Sequence, residues 1–254
     1  MTAKSRSRRA GCAFLVAAMT AACVSPQARL AAQQEKDPRY QYEKAVVCMQ
    51  AQLPDEAIKY LNRAVTLDPN HYLSHNLFGL VYMLKQDFPK AQASLERCVA
   101  IKPDFSEAHN NLGTVLQETG QKAKAEAAFK RAFEIDQNYN ASYNLAKIYF
   151  ERGDLEPALT YIGHSLQKFD RSLLAWNLKG LILDTLGRTE EAITSYQQAL
   201  KRVPNEENVS FNLAVAYFRK GDRTRAKEIC DRILQSAKTE ELRARIRDLL
   251  EKLK

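Results

Sequence analysis

Histidine is scarce in this sequence, four residues in 254, and the placement of those four argues against catalysis or metal binding. His71 and His75 are four apart, but His71 falls in a turn after Pro69, so the two do not share a helix face, and no third ligand stands near them. No glycine-rich phosphate loop and no Ser-His-Asp or Cys-His constellation can be assembled. Nothing outside the repeated body described below is long enough for a catalytic domain. The reading is of a non-enzyme with no metal and no cofactor. Period-two apolar alternation is also missing, which excludes a β architecture. Acidic residues are absent from positions 1–22, where Lys4, Arg6, Arg8 and Arg9 cluster. That local lack inflates the formal net charge of +8: without those four, 34 basic residues face 30 acidic ones, interspersed along the chain. Such a balance fits solubility and not a phosphate-binding stripe, so nucleic acid is excluded as a partner.

What is present begins with an ordinary folding composition, 45% hydrophobic and 27% charged. The N-terminus has a basic stretch from Lys4 to Arg9, an apolar stretch from Ala10 to Ala22, and the small residues Thr20-Ala21-Ala22 before Cys23. This is the three-part pattern of a signal peptide over residues 1–22. Thirteen apolar residues are too few to span a bilayer, which needs roughly 20.

The body is periodic. Ala57, Ala91, Ala125, Ala158, Ala192 and Ala226 are separated by 34, 34, 33, 34 and 34 residues. Twelve residues before each stands a small residue, namely Ala45, Gly79, Gly113, Ala146, Gly180 and Ala214. Four residues after each comes a larger one: Leu61, Leu95, Phe129, Ile162, Tyr196 and Cys230. Each unit reads as two helices with 3.6-residue periodicity, for instance Leu112, Gly113 and Leu116 on one face, and the small residues let the two helices approach closely. Gly120, Gly153, Gly187 and Gly221 suit left-handed stops of the first helix. Pro54, Pro89 and Pro157 fall in the opening turn of the second, where a missing amide proton costs little.

This pattern resembles the tetratricopeptide repeat, a helix-turn-helix unit of about 34 residues. With each repeat numbered from 1, the repeats span 38–71, 72–105, 106–138, 139–172, 173–206 and 207–240. The proline at position 32 is present as Pro69, Pro103 and Pro204, and the tryptophan at position 4 as Trp176; Gln137, Asp170 and Lys238 depart at position 32. The resemblance implies an all-α, right-handed superhelical solenoid of six repeats. The stretch 241–254, with Leu242, Ile246, Leu249, Leu250 and Leu253 as one apolar stripe, is expected to be a capping helix.

In this family positions 2, 5, 6, 9, 12 and 13 of the first helix line the concave side. Here they place amides among apolar and aromatic groups: Asn76 and Leu80; Asn110 and Asn111; Tyr143, Asn144, Lys147 and Phe150; Asn177 and Leu181; Phe211, Asn212 and Phe218. Such a groove suits a peptide or protein partner, since amides bond an extended backbone without demanding a sequence. Asn111, Asn144 and Asn212 share position 6 and resemble the asparagine ladder with which some repeat superhelices hold a main chain, while Leu77 and Leu178 interrupt it. The alternative is that these asparagines are common filler of the repeat.

Cys48, Cys98 and Cys230 occupy repeat positions 11, 27 and 24 and read as buried core residues, with a Cys48–Cys98 bond left open. Cys23 has no place in a repeat. It precedes a polar tether over 23–37 and resembles the acylated cysteine of a bacterial lipoprotein, with Thr20 departing from the usual aliphatic residue. Val24, not Asp, implies the outer membrane, with the protein facing the periplasm; a soluble periplasmic or secreted protein is the alternative. Lipoprotein signal, tether and six repeats together resemble the type IV pilus biogenesis lipoproteins called pilotins, which implies an outer-membrane secretin as partner. The rival of the same kind is an adaptor for periplasmic proteases or cell-wall hydrolases, and the rival of another kind a soluble structural repeat protein. Oligomeric state is not encoded legibly.

Overall fold

In a computed structural model the protein is described over residues 25–254, so the signal segment and Cys23 lie outside the described residues. Among the described residues there are fourteen helices and no strand, and they form two compact units, one ending at Lys102 and the other beginning at Pro103.

The first unit holds α1 (Pro26–Gln34), α2 (Pro38–Gln50), α3 (Pro54–Leu67), α4 (Tyr72–Leu84) and α5 (Phe88–Ile101). The stretch read as a polar tether therefore contains a helix. No apolar periodicity announces α1. It starts with proline at its first position and continues through Leu30, Ala31, Ala32 and two glutamines, all good helix formers. The turn that follows is tied to the first repeat: Gln41, fully buried, donates from Nε2 to the Glu35 carbonyl and to Glu35 Oε2, both at 2.8 Å. Lys44 reaches Glu35 Oε1 at 2.6 Å and holds that carboxyl below its ordinary range.

The second unit holds α6 (Ser106–Glu118), α7 (Lys122–Asp136), α8 (Tyr139–Arg152), α9 (Leu155–Lys168), α10 (Leu173–Thr185), α11 (Thr189–Arg202), α12 (Glu207–Lys220), α13 (Arg223–Ser236) and α14 (Glu240–Lys252). In both units each first helix packs on its own second helix, which packs on the next first helix within the unit.

The packing rests on size complementarity. The alanines at position 20 are all fully buried, as are the large residues at position 24. A Cβ on Gly79 would lie 2.4 Å from Leu95 Cγ, one on Gly113 2.6 Å from Phe129 Cε1, and one on Gly180 2.4 Å from Tyr196 Cε1. The two aromatic position-24 residues thus face glycine, as does Leu95, while Leu61, Ile162 and Cys230 belong to repeats with alanine there. Position 15 is left-handed in all six repeats: Gly153 has φ +87°, and Gln52 and Gln86, both at φ +59°, adopt that conformation without the glycine that favours it.

Helix α14 is capped by Thr239, whose Oγ1 accepts from the Leu242 amide, and Leu242, Ile246, Leu249 and Leu253 are buried against the last repeat. Cys98 and Cys230 are buried, and burial pushes the Cys230 thiol up to about 11. Cys48 is only half-buried, contrary to its reading as core, and all three thiols are free, so Cys48 and Cys98 are not bonded. The reason lies in position 11, which faces the preceding repeat's second helix: Tyr149 Oη donates to Glu126, and Tyr217 Oη accepts from Gln197. The first repeat has no predecessor to cover Cys48.

Candidate functional site

The histidines have structural posts. His75 and His109 occupy position 4, where the repeat's tryptophan belongs, and the Nε2 of each bonds the carbonyl six residues earlier, Pro69 and Pro103, at 3.0 Å. Trp176 makes the same bond from Nε1 to the Asp170 carbonyl at 2.7 Å. An imidazole here replaces an indole as the pin between a turn and the helix after it. His71 Nδ1 bonds Ser74 Oγ at 2.7 Å, and its ring meets Tyr42 edge-on. His164 packs on Phe133. No group of histidine, cysteine and carboxylate side chains suited to a metal ion occurs among the described residues.

In the first unit, α4 places Asn76 and Leu80 on the candidate face. Asn76 is 5% exposed and Leu80 half-buried, while Leu84, one turn on, is open to solvent.

In the second unit the first helices α8, α10 and α12 pack side by side, α10 touching both others. Their face carries paired asparagines across the repeat seams. Asn144 donates from Nδ2 to Asn110 Oδ1 at 3.1 Å, and Asn212 donates from Nδ2 to Asn177 Oδ1 at 3.1 Å. The register is staggered, position 6 of one repeat reaching position 5 of the one before. The position-5 asparagines thus belong to the ladder as its partners, which a ladder read along position 6 missed. Each pair spends one donor and one acceptor internally. No second side-chain bond joins any of the four among the described residues; Asn144, Asn177 and Asn212 are half-buried, while Asn110 is only 8% exposed. The seam of α10 with α12 so retains one acceptor and one donor on half-buried residues, the complement of a peptide backbone unit; in the seam of α6 with α8 only the Asn144 acceptor belongs to a half-buried residue.

Between these two rungs the seam of α8 and α10 is different. Position 5 is Tyr143 and position 6 is Leu178. Leu178 is buried, and Tyr143 and Phe150 pack, half-exposed, against the cluster that contains it. Burial pushes the Tyr143 phenol above its ordinary range, so it is neutral. Leu181 and Phe218 are half-buried beside the next cluster, and Leu174 on α10 is 60% exposed. The charges on the face are paired: Lys147, exposed, with Glu151 at 3.8 Å, and Arg219 with Asp184 in close contact.

Four expected site residues are less available than the sequence suggested: Asn76 and Asn110, 5% and 8% exposed, together with Phe211 and Asn111. Phe211 is 6% exposed, because Arg245 of α14 lies over its ring at 4.5 Å; the terminal repeat's apolar face is covered by the capping helix. Asn111 is 9% exposed, held within α6. Beside the face, Gln117, Lys122, Glu126, Ile148 and Arg152 line a crevice of about 430 Å³, but its carboxylate is already engaged. Glu126 accepts from Tyr149 Oη at 3.3 Å and pairs with Arg152 and with Lys130 at 2.8 Å, and the Lys130 bond leads in lowering its pKa.

Comparison with known proteins agrees with the repeat geometry. Tetratricopeptide repeat family profiles match residues 38–71 and 82–139, and the profile of the tetratricopeptide repeat protein 21 C-terminal ARM domain matches 136–254. A repeat-containing protein of Methanocaldococcus jannaschii is 36% identical over 92 residues, which are 36% of this chain and 16% of that protein. The chain therefore spans a small part of the curated relative it matches. The crystal structure of PilW, a widely conserved type IV pilus biogenesis factor, superposes with a TM-score of 0.70 at 22% identity, covering 82% of this chain and 97% of PilW. That of YrrB, described as having an unusual peptide-binding site, superposes with a TM-score of 0.61 at 17% identity, covering 72% and 94%. At these identities the likeness is one of fold. No helix among the described residues is long and apolar enough to cross a membrane.

Proposed function

We infer that this chain, a tetratricopeptide-repeat protein, is a scaffold whose first-helix face in the second unit binds a segment of a protein partner. The observation that carries this reading is the pair of asparagine rungs, each with side-chain hydrogen-bonding capacity its inner bond does not use, set among half-exposed aromatic and aliphatic side chains. A peptide lying across them exchanges water for backbone hydrogen bonds at two seams and buries apolar groups between. The repeat fold, a scaffold for protein interactions, supports this reading of the face.

We further propose that the scaffold is held at the outer membrane by acylation of Cys23, each lipid methylene contributing about 0.8 kcal/mol to anchoring. Its role on this reading is assembly of a type IV pilus or secretin, in the manner of a pilotin. The fold of PilW, which matches along most of both chains, supports this reading over a periplasmic adaptor for proteases or wall hydrolases.

The test is a pull-down from envelope extracts with wild type beside Tyr143→Ala/Asn144→Ala/Phe150→Ala protein. Loss of the partner supports the face, and unchanged recovery removes it. A recovered secretin identifies the pilotin role, and a protease or hydrolase the adaptor role. Globomycin should cause precursor to accumulate; if it does not, and Cys23→Ser protein still sediments with membranes, the lipid anchor is wrong.

A further inference from the structure

Resting on that binding face, the break in the asparagine ladder says which segment it takes. Rungs of identical design stand at the seam of α6 with α8 and at the seam of α10 with α12, Asn144 to Asn110 and Asn212 to Asn177. The seam between them has Tyr143 and Leu178 in the same two positions, one half-exposed and the other buried beneath. Neighbouring helices pack about 8–10 Å apart, so the two rungs are separated by about 20 Å. An extended chain covers that in about six residues at ~3.3 Å each. The chemistry along the path is polar, apolar, polar, with the exposed Lys147–Glu151 pair at 3.8 Å on α8 and Arg219 held against Asp184 to either side of the apolar seam.

We propose that the face selects an extended segment of a partner, gripped by its backbone at two points about six residues apart, with an apolar side chain lodged midway against Tyr143 and Phe150. The rungs read main chain and supply affinity for any such segment. The middle seam reads a side chain and supplies the preference.

The experiment uses the full-length protein in detergent and labelled peptides of about twelve residues, acetylated and amidated, of serine and threonine with one central residue varied among phenylalanine, leucine, alanine, aspartate and lysine. The phenylalanine and leucine peptides are expected to bind at least tenfold more tightly than the other three. Tyr143→Ala should abolish that preference, and Asn144→Ala/Asn212→Ala should weaken all five by similar factors. Leu178→Asn, which replaces the apolar seam with an amide, is the second variant should Tyr143→Ala lose its circular-dichroism signature; it too should erase the preference. Equal binding of the five peptides by wild type, or a preference that survives both middle-seam variants, overturns the proposal. Failure of specificity is separable from failure of the binding face. If the pull-down partner is lost with the triple variant while the peptides bind without preference, only the selection rule falls. If the partner is retained and no peptide binds, the face itself is wrong.

Discussion

Gly180 and Tyr196 are matched so closely that a single methyl group on the glycine would stand 2.4 Å from the tyrosine ring. Tyr196 is fully buried, and α10 and α11 are held together over this contact. Gly180→Ala should therefore cost about 1–3 kcal/mol, the usual penalty of overpacking, despite alanine's better helix propensity. The repeat with Ala146 and Ile162 shows the compensating arrangement. The double variant Gly180→Ala/Tyr196→Ile should recover part of the loss, read as a positive coupling in urea unfolding of the two singles and the double. Strict additivity would show that the pair does not act as a unit.

The hydroxyl of the same tyrosine is the weak point of that contact. Tyr196 Oη and Asp184 Oδ1 are both buried without a hydrogen-bond partner among the described residues. Burial, reinforced by the Asp184 charge, pushes the phenol far up. A buried unpaired hydroxyl carries a desolvation penalty of about 1–3 kcal/mol, so Tyr196→Phe should be neutral or stabilising in urea unfolding. A loss of 1 kcal/mol or more would mean that the hydroxyl has a partner in solution.

Gln52 and Gln86 hold a left-handed conformation that four other repeats assign to glycine. Replacing Gln86 with glycine removes a conformational strain of about 1–2 kcal/mol and adds chain entropy to the unfolded state, for a net gain of about 0.5–1 kcal/mol. The reverse change, Gly153→Gln, should lose a similar amount. Thermal unfolding of both variants checks the sign.

Acid should loosen the first unit through His71. Burial lowers the pKa of this imidazole below its ordinary 6.5. The unfolded chain then takes up the proton first as the pH falls. The stabilisation from keeping His71 neutral is complete above the ordinary value and is lost as the pH falls through it toward the lower folded value. Asp68 and Asp37 oppose the shift, and Arg39 and His75 add to it. Between about pH 7.5 and pH 5.5 the urea midpoint should decline, and His71→Gln should flatten the decline. The carboxylates with lowered pKa values titrate below this window and leave it clear.

The periodicity of small, alanine and large residues made the helix pairs legible, because a close helix contact can be met by few residue types. The histidine pins were legible in principle too, once His75 and His109 are aligned with Trp176. Three other features were not. Helix α1 has no apolar stripe, and only its proline start and residue propensities produce it. The covering of Phe211 depends on where α14 settles, which its own amphipathic stripe does not state. The asparagine rungs join residues 34 and 35 apart with a one-position stagger, so an alignment by repeat position separates the partners it should join.

That stagger gives the array a fixed order. A repeat that ends a rung with position 6 and begins the next with position 5 can be followed only by a repeat of matching type, as a domino can. Exchanging the repeats that carry Tyr143-Asn144 and Asn177-Leu178 would bring Tyr143 to the amide of Asn212 and deprive Asn110 of its donor, although every helix would keep its own core. Repeat arrays are commonly lengthened by duplicating one module. Here a duplicate of either of these two modules would meet its own copy across a mismatched seam, so the sequence of modules, and not their number alone, is what this face preserves.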